Sequence, residues 1–489
     1  MNIFIWPVNS TLRGGKPVPA GAALLAFGLA VAGLAGCAVG PNYHPPESAA
    51  PSAFANGSQT NLVASEALSD WWHGFNDGKL DELVSRALQK NHDLRIATAR
   101  LREARVLRRL STSDLFPVVT ADAAYANSRS STAAFGGFPG IERDRELYDA
   151  GFDATWELDF FGRVRRSMEA SRAEVQAAEA NRRDVQVSLI SEVARNYFEL
   201  RGTQNELAVA LKNAENQRQT VKITQALLEG GRGTELDVAR AQAQLNFTLA
   251  SIPPLETAVA RAIHRLGVLA GEQPVALAAE LKAPAPLPPL PPLIAIGSPE
   301  SLLRRRPDIR AAERALAAAT ARIGIATADL FPRVTFNGRV ALQAETLSGL
   351  GESGADTWSF GPRISWAALD LGHVRARIKA SDARTEAALA VYEKTVLTTL
   401  EETENALVDF GREQARREYL QKMVAASETA VSLARQRYEN GATDFLTVLD
   451  AERVLLEAQD QLARSQTRTA TSLAAVYKAL GGGWETGGH

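Results

Sequence analysis

The sequence predicts a mainly α-helical fold with a small β part, built as a tandem internal repeat. Two very long stretches lack proline and show helical apolar spacing, four segments alternate apolar with polar residues, and short motifs recur at a nearly constant offset. A period of two indicates strands, whereas a seven-residue apolar spacing indicates long paired helices. The fold therefore combines long coiled-coil helices with two pairs of strands.

The first 36 residues have the features of a secretory signal. Arg13 and Lys16 precede an apolar run over residues 20–32, and small residues follow that run. The run is too short to cross a membrane comfortably as a helix. A basic start, an apolar centre and a small-residue end are typical of a cleaved signal peptide, which we assign to residues 1–36.

The segment Leu34-Ala-Gly-Cys37 resembles a bacterial lipobox. This resemblance implies cleavage before Cys37 and attachment of lipid to that cysteine, which would anchor the mature chain. Several acyl chains on one residue hold a protein to a membrane far more firmly than one chain does. The next residue is Ala38 rather than Asp, which by the same resemblance favours the outer membrane of a Gram-negative cell.

The composition argues against several classes of function. A net charge of −2 disfavours a nucleic-acid partner, which requires a basic surface. Cys37 is the only cysteine, so no intramolecular disulfide forms, and the six histidines show no metal-ligand spacing. The sequence has no Gly-rich phosphate loop, Gly-x-Ser-x-Gly elbow or His-Glu-x-x-His motif. We therefore expect no enzyme activity, no metal, and no cofactor other than the lipid on Cys37.

Short motifs reveal the tandem repeat. Asp93-Leu-Arg95 recurs as Asp308-Ile-Arg310, and Thr112–Pro117 recurs as Thr327–Pro332, both at an offset of 215 residues. Further along the chain the offset becomes 210. The pairs at that offset include Trp156 with Trp366, Gly162–Arg165 with Gly372–Arg375, and Leu236 with Leu446. Because surface loops tolerate changes in length, we place the five-residue difference in two Gly- and Ser-rich loops, residues 129–146 and 344–356.

The repeat divides the mature chain into successive segments. A proline-rich joint separates the two copies and should act as a stiff connector. The predicted segments are a lipidated N-terminal segment 37–70, repeat one 71–282, the linker 283–300, repeat two 301–480 and a C-terminal tail 481–489. Each copy is predicted to run helix, strand, loop, strand, very long helix, tight turn and helix.

The long helices are predicted from two matching stretches, Arg163–Glu229 and Val374–Glu439, which contain no proline. In the first stretch, apolar residues recur every seven positions from Leu200 to Leu228, a coiled-coil spacing. A helix of this length extends roughly 100 Å at 1.5 Å per residue, far more than a globular domain requires.

The four predicted strands place apolar and polar groups on opposite faces. Four strands are too few to close a barrel, so a soluble hairpin pair is one interpretation. The favoured interpretation is that edge strands from several copies pair to close one shared membrane barrel. Three copies would give twelve strands. In that barrel the lipid-facing residues are Phe152, Trp156, Phe160, Trp358, Phe360 and Trp366. The lumen-facing residues are Asp149, Asp153 and Glu157.

Five motifs carry a resemblance to a known family. They are Cys37-Ala-Val-Gly-Pro-Asn-Tyr43, Trp71-Trp72, Leu303-Arg-Arg-Arg-Pro-Asp-Ile309, Asp329-Leu-Phe-Pro332 and Ala479-Leu-Gly-Gly-Gly-Trp484. Together, in this order, they resemble the TolC/OprM-type outer membrane factors, in the NodT-like lipoprotein branch of resistance–nodulation–division tripartite efflux pumps. The resemblance covers the whole mature chain.

This resemblance implies a homotrimer with a twelve-stranded outer-membrane barrel and a long α-barrel that extends into the periplasm. The inter-repeat segment and the C-terminal residues would form a belt around its middle. The implied partners are a periplasmic adaptor protein, an inner-membrane resistance–nodulation–division pump and outer-membrane lipid. The implied function is the exit duct for small toxic compounds such as drugs, with no chemistry performed by the channel itself.

Two tight turns join the long helices to the shorter ones, and their glycines permit the positive φ that such turns require. By the implied fold these turns lie at the periplasmic end, where they would dock the adaptor. The simpler interpretation is that they only reverse the chain. The docking residues predicted there are Gly230, Gly231, Gly233, Thr234, Gly441 and Thr443.

A gate is predicted beside these turns. Leu446 and Asp450 lie one helical turn apart, so each would form a ring of three in a trimer. Family members similarly constrict this end with an apolar and an acidic ring and an arginine, and Leu446, Asp450 and Arg453 match those positions. Leu236 and Arg240 are their equivalents in the first repeat, so Arg240 would pair with an acidic group of the other turn. Alternatively, Asp450 and Arg453 form only a surface pair.

Two other functions stay open from the sequence. A type I protein-secretion outlet shares the implied fold and differs in its pump. A lipid-anchored periplasmic coiled-coil scaffold without a pore is the second alternative. The lipobox and the similarity to the lipoprotein branch favour small-molecule efflux.

Overall fold

The structure is a computed structural model that describes residues 38–46, 51–57, 62–65, 69–131 and 143–484. The predicted signal 1–36 and the predicted lipidation site Cys37 lie outside the described residues. Within the described ranges, no helix is both long enough and apolar enough to cross a membrane.

The elements follow the order predicted for a tandem repeat. The N-terminal segment and repeat one contain β1 (Leu62–Val63), a 3-10 turn (Trp71–Phe75), α1 (Gly78–Lys90), α2 (His92–Ser113), β2 (Val118–Arg129), β3 (Asp144–Leu158), α3 (Arg163–Glu229) and α4 (Glu235–Leu269). The linker and repeat two contain α5 (Ala278–Leu281), β4 (Ile294–Ala295), α6 (Pro299–Arg305), α7 (Pro307–Ala328), β5 (Arg333–Ala344), a 3-10 turn (Ser348–Gly351), β6 (Asp356–Ser365), α8 (Leu371–Glu439) and α9 (Phe445–Ala479).

The four predicted strands form one antiparallel sheet in the order β2-β3-β5-β6. The register places Trp156 beside Phe336, and Val340 beside both Phe152 and Trp358. Since paired residues share a face, the aromatic residues of all four strands lie on one side of the sheet. The two-faced sheet predicted from alternation is confirmed.

One predicted boundary in this sheet is wrong. The residues Asp144–Glu146 belong to β3 and not to an outer loop. They pair with the end of β2, where Arg129 lies opposite Asp144 and Asn127 lies opposite Glu146. Backbone pairing therefore extends the ladder into the segment that the change of repeat offset assigned to a loop.

The two very long helices are confirmed as α3 and α8, of 67 and 69 residues. Neither contains proline, so no backbone donor is missing along its length. The seven-residue stripe of α3 is buried at Leu200, Ala214 and Val221 and half-buried at Leu207 and Leu228. The stripe therefore packs against neighbouring helices, as a coiled-coil spacing predicts.

The chain divides into two compact units, each considered by itself. One contains the strands and the adjoining helix ends, Arg109–Ala170 and Ala319–Ala383, with described residues 38–43. The other contains His44–Arg108, Ser171–Ala318 and the chain from Arg384 onward.

The second unit has an aromatic core around the motif Trp71-Trp72. The Trp71 ring stacks on Tyr477 with centroids 4.8 Å apart, and both side chains are buried. Phe75 contacts Phe198 at 4.7 Å between ring centroids. Large apolar groups buried in this way contribute most of the stabilising burial of a fold. The tryptophan motif is therefore a core anchor.

The linker is more structured than a stiff connector. Its residues Ile294 and Ala295 form the parallel strand β4, which pairs with Leu62 and Val63 of β1. Each of these strands is only two residues long, and so short a segment has no readable alternation. The pairing joins the N-terminal segment to the linker within the second unit and was not predicted from the sequence.

The motif Leu303–Ile309 contains a buried arginine that ties several segments together. Arg306 donates hydrogen bonds to the Ala479 carbonyl at 2.7 Å and to the Glu402 carboxylate at 2.9 Å. It also pairs with Asp308 at 2.7 Å. A bidentate guanidinium with several acceptors is well suited to hold a helix end in place.

Candidate functional site

The apolar face of the sheet is exposed in the single chain. The exposed fractions are 61% for Phe152, 36% for Trp156, 67% for Trp358 and 69% for Phe360. Trp358 and Phe360 stack with centroids 5.2 Å apart. A contiguous exposed aromatic surface of this kind marks a face that another phase or chain must cover.

The remaining two residues predicted on that face, Phe160 and Trp366, lie just beyond strand ends. β3 ends at Leu158, and the Phe160 N–H bonds back to the Leu158 carbonyl at 2.8 Å. β6 ends at Ser365, so Trp366 also lies outside its strand. Both side chains are nevertheless exposed. Their strand assignment is wrong because a helix begins a few residues later in each repeat and the chain turns toward it.

The polar face contains a cluster of charges on three strands. Arg339 of β5 forms ion pairs with Asp122 of β2 at 3.0 Å and with Asp149 and Asp153 of β3. The register brings Arg339 directly opposite Asp153. Two of these carboxylates, Asp149 and Asp153, were predicted to face the lumen, and the structure places both on the polar face.

Glu157, the third predicted lumen-facing residue, is held where the sheet meets α3. Arg163 Nε donates to its Oε1 at 2.7 Å, and Arg333 lies 3.8 Å away. A pocket of about 330 Å³ lies here, bounded also by Phe161 and Phe331, whose rings stack at 4.6 Å. Since its carboxylates are already paired with guanidinium groups, this junction is best explained as a structural corner.

The two helix turns have the same backbone geometry. Gly231 and Gly441 adopt φ values of +72° and +71°, which favour glycine. At the first turn the Arg232 N–H bonds to the Leu227 carbonyl at 2.8 Å, and at the second the Ala442 N–H bonds to the Arg437 carbonyl at 2.8 Å. These six-to-one bonds end each long helix with a Schellman motif.

Capping residues start the next helix after each turn. Thr234 accepts a hydrogen bond from the Asp237 N–H, and the Asp237 carboxylate accepts one from the Thr234 N–H, which forms a capping box. In the second repeat Asp444 caps α9 by accepting from the Thr447 N–H at 3.1 Å. The other predicted docking residues, Gly230, Gly233 and Thr443, lie in the same two turns.

The predicted gate residues lie on exposed faces just after these turns. The exposed fraction is 56% for Leu236 and 42% for Leu446, and Asp450 and Arg453 are also exposed. In the described part of the chain, Asp450 and Arg453 form no ion pair with each other or with another residue. The surface-pair alternative therefore has no support within one chain, and both groups are free to meet a neighbouring copy.

Arg240, predicted to pair with an acid of the other turn, lies in the field of Asp444. Hydrogen bonds from Thr447 hold the pKa of Asp444 below its ordinary value, and the Arg240 charge contributes to that lowering. The two turns are also adjacent, because a Cβ added at Gly441 would lie 3.8 Å from Arg232 Nη2. No ion pair joins Arg240 to Asp444 in the described part of the chain, so the predicted pairing stays a prediction.

A buried carboxylate that was not predicted from the sequence lies between the gate residues. Glu452 is 7% exposed and pairs with Arg435 at 2.7 Å, while the Thr220 hydroxyl donates to it at 3.0 Å. Phe445 and Val448 are buried in the same helix cluster. The sequence signal that indicates burial of Glu452 is its apolar neighbours at helical spacing. Val448, Leu455 and Leu456 lie three or four positions away and therefore share its helix face.

Comparison with known proteins identifies the family. The family described as "Outer membrane efflux protein" matches residues 83–272 and 298–482, once in each repeat. The chain belongs to the outer membrane efflux protein family.

Individual members of this family are similar along nearly the whole chain. The toluene efflux pump outer membrane protein TtgI of Pseudomonas putida is 32% identical, with 92% of this chain and 96% of that protein covered. Nodulation protein T of Rhizobium leguminosarum bv. trifolii is 30% identical, with 92% and 95% covered. The solved outer-membrane channel OprN superimposes with a TM-score of 0.87 at 46% identity, covering 92% of this chain and all of that one.

These findings confirm the predicted class of fold and of function. The outer membrane efflux protein described here has the mainly α-helical fold of the TolC/OprM-type channels and acts as an outer-membrane efflux channel. The predicted location, in the outer membrane with an extension into the periplasm, is confirmed by the same relatives. The family and its solved members are channel proteins rather than enzymes.

Proposed function

We propose that three copies of this chain close one channel that serves as the exit duct of a tripartite efflux pump. Each copy contributes four strands, so three copies give a twelve-stranded barrel, a size that encloses an open lumen. The partners are a periplasmic adaptor and an inner-membrane resistance–nodulation–division pump, which deliver small toxic compounds into the duct. The toluene named for TtgI makes organic solvents candidate cargo alongside drugs.

The observation that carries this proposal is the two-faced sheet with two open edges. Its apolar face exposes Phe152, Trp358 and Phe360, and its opposite face contains the Arg339 cluster. In lipid every backbone group needs a partner, so strands can span a membrane only in a closed barrel. The unpaired edges of β2 and β6 supply the backbone groups through which copies would join.

The periplasmic end is proposed to contain both the gate and the adaptor-docking surface. Leu446 and Asp450 would form an apolar and an acidic ring, with Arg453 bridging neighbouring copies. Support comes from their exposure and from the free charges of Asp450 and Arg453 in the single chain. The two adjacent glycine turns present backbone groups that a helical hairpin of the adaptor could contact.

Bilayer recording tests the channel. The purified full-length chain should give discrete conductance steps in planar bilayers and a mass in detergent of three copies. A monomeric mass with no conductance would contradict the proposal. A type I secretion outlet would also conduct, so a deletion strain separates the two functions: efflux predicts increased susceptibility to antibiotics, dyes or solvents, whereas the secretion alternative predicts loss of a secreted protein.

The lipid anchor is proposed on Cys37, and its removal tests the scaffold alternative. With the signal replaced and Cys37→Ser introduced, radiolabelled palmitate incorporation should be lost. The chain should still require detergent, because its strands face lipid. A lipid-anchored scaffold would instead become soluble, and retained labelling would contradict the assignment of Cys37.

A further inference from the structure

The two sequence offsets of the tandem repeat convert the register of the first hairpin, β2 with β3, directly into that of the second hairpin, β5 with β6. In the first hairpin Val118 lies opposite Thr155. Moving the first residue by 215 positions and the second by 210 gives Arg333 opposite Ser365. This is the register observed between β5 and β6. The sequence offsets therefore carry the strand register from one repeat to the next.

The pairing of β3 with β5, which joins the two repeats, has no equivalent pairing within one chain. β3 pairs with β5, and the same operation maps β3 onto β6 and β5 onto β2. Because β2 and β6 are the two edges of the sheet, the image joins β6 of one copy to β2 of the next. We infer that neighbouring copies pair in the register that places Ile364 opposite Ala123 and Ser359 opposite Ser128.

The direction of the backbone groups independently supports this register. The Gln343 N–H bonds to the Ala355 carbonyl at 2.8 Å, so odd-numbered residues of β6 point toward β5 and even-numbered ones toward the open edge. The Ser130 N–H bonds to the Arg143 carbonyl at 2.7 Å, so odd-numbered residues of β2 point toward the other open edge. The inferred register pairs even residues of β6 with odd residues of β2, as an antiparallel ladder requires. A one-residue slip would break it.

Side-chain size and charge fit the same register. On the apolar face the large Ile364 lies opposite the small Ala123, the interdigitation that packed cross-strand pairs favour. On the polar face Arg363 lies opposite Ala124 of the neighbouring copy.

Asp122 of that copy is diagonal to Arg363. Diagonal neighbours are roughly 7–8 Å apart, within reach of an arginine side chain. Asp122 would then lie between Arg339 of its own chain and Arg363 of the next.

Pro362 limits the bonding at one point of this edge. It lies opposite Tyr125 in the inferred register, at a position whose backbone points to the open edge. Proline has no N–H, so this pair forms one hydrogen bond fewer than its neighbours. In an isolated copy the same proline would discourage pairing with unrelated strands, a common protection of edge strands.

Disulfide trapping tests the register, which rests on the proposed shared barrel. Ser359 and Ser128 form a non-hydrogen-bonded pair in the inferred ladder, where Cα atoms lie about 4.5 Å apart, within the range that a disulfide accepts. The full-length variant S128C/S359C should therefore form covalent dimers and trimers on non-reducing gels of oxidised outer membranes. A126C/S359C and S130C/S359C shift the pair by two residues each way and should stay mainly monomeric. The unchanged chain, which keeps Cys37 as all variants do, is the control.

The outcomes separate the register from the proposed function. Stronger linking in either shifted pair would overturn the register while leaving the shared barrel intact. Absence of linking in all three pairs would overturn the register alone if the native mass is that of three copies. The same absence with a monomeric mass would overturn the proposed function as well.

Discussion

The indole N–H of Trp366 donates a hydrogen bond to the Leu330 carbonyl at 3.0 Å. The repeat contains the same relationship between Trp156 and Leu115 at 2.8 Å. In both copies the tryptophan lies within two residues of the end of the second strand of a hairpin, and the leucine lies in the Asp-Leu-Phe-Pro motif before the first strand. The bond therefore closes the base of each hairpin and satisfies a carbonyl in the turn between the helix and the first strand.

Replacing either tryptophan by phenylalanine should weaken the base of its hairpin. Trp156→Phe and Trp366→Phe keep an aromatic ring but remove the donor, which costs about 1 kcal/mol for a neutral hydrogen bond. Each variant should lower the midpoint of thermal unfolding in detergent, followed by circular dichroism. Trp358→Phe is the matched control, because its indole nitrogen makes no hydrogen bond in the described part of the chain. An equal loss in the control would contradict a role for the bond.

Much of this architecture is readable from the sequence because it depends on local periodicity. Alternation of apolar residues fixes which face of a strand is buried or lipid-exposed, and repeat offsets fix which elements correspond. Phe160 and Trp366 were misplaced because the alternation continues past the point at which the chain turns into a helix. The short β1–β4 pairing was missed because two residues carry no period.

The candidate site was less predictable because its contacts join distant segments. Asp153 and Arg339 are separated by 186 positions and meet only through the register of β3 and β5. Glu452 is flanked by the predicted gate residues, but its burial depends on α3 and α8 packing over it. Solvent-exposed Asp450 and Arg453 form no ion pair within the described residues, so their role still depends on the resemblance.

Arg339→Ala should make the channel more selective for cations. Each copy would then present three carboxylates on the polar face with no guanidinium between them, which deepens the negative potential of the lumen. The reversal potential in a potassium chloride gradient should shift toward the potassium equilibrium value. Arg129→Ala removes the same charge from the exposed end of β2 and should have a smaller effect, because salt screens exposed charges. An unchanged reversal potential for Arg339→Ala would contradict the lumen-facing assignment of this cluster.

Glu452→Ala should destabilise the helix tips. The change leaves Arg435 without its carboxylate and removes the acceptor of Thr220 in a buried setting, so a loss of about 2 kcal/mol is expected for a charged hydrogen bond. Hydrogen exchange should show faster exchange in the tip segments of α3, α4, α8 and α9. Gln242, the repeat equivalent, is exposed, so Gln242→Ala should leave exchange unchanged. Unaltered exchange in Glu452→Ala would show that the buried pair contributes no net stability.

Asp184→Asn should stabilise the protein at neutral pH. Burial raises the pKa of Asp184, and the Asp308 carboxylate adds to the effect, so its charged form is disfavoured in the folded state. Because the pKa of Asp184 is raised in the folded state, the free energy of unfolding decreases as the pH rises through that pKa. Asparagine does not ionise, so the variant does not lose this stability. The unfolding midpoint should therefore be higher than in the unchanged chain at pH 7, and the gain should vanish below the ordinary aspartate pKa of about 4.

Asp308→Asn is the matched control of opposite sign. Burial alone would raise the pKa of Asp308, but the hydrogen bonds and charge of Arg306 outweigh it and hold that pKa below its ordinary value. Its stabilising contribution is present above the unfolded pKa and is lost as pH falls through the folded one. The asparagine variant should therefore unfold at a lower temperature at pH 7, and its deficit should shrink in acid. The same sign of effect in both variants would contradict this account.

Removal of the two unpaired gate charges should open the periplasmic end. Asp450→Ala combined with Arg453→Ala removes the proposed acidic ring and its bridge to the next copy, so single-channel conductance in planar bilayers should rise. The matched control removes Asp460 and Arg464, an ion pair at 3.1 Å that lies further along α9. This double variant should leave conductance unchanged. Because Asp450 and Arg453 lose no ion pair among the residues that the structure describes, the thermal midpoint of the separated subunit should stay unchanged. Conductance equal to that of the control would remove these residues from the gate.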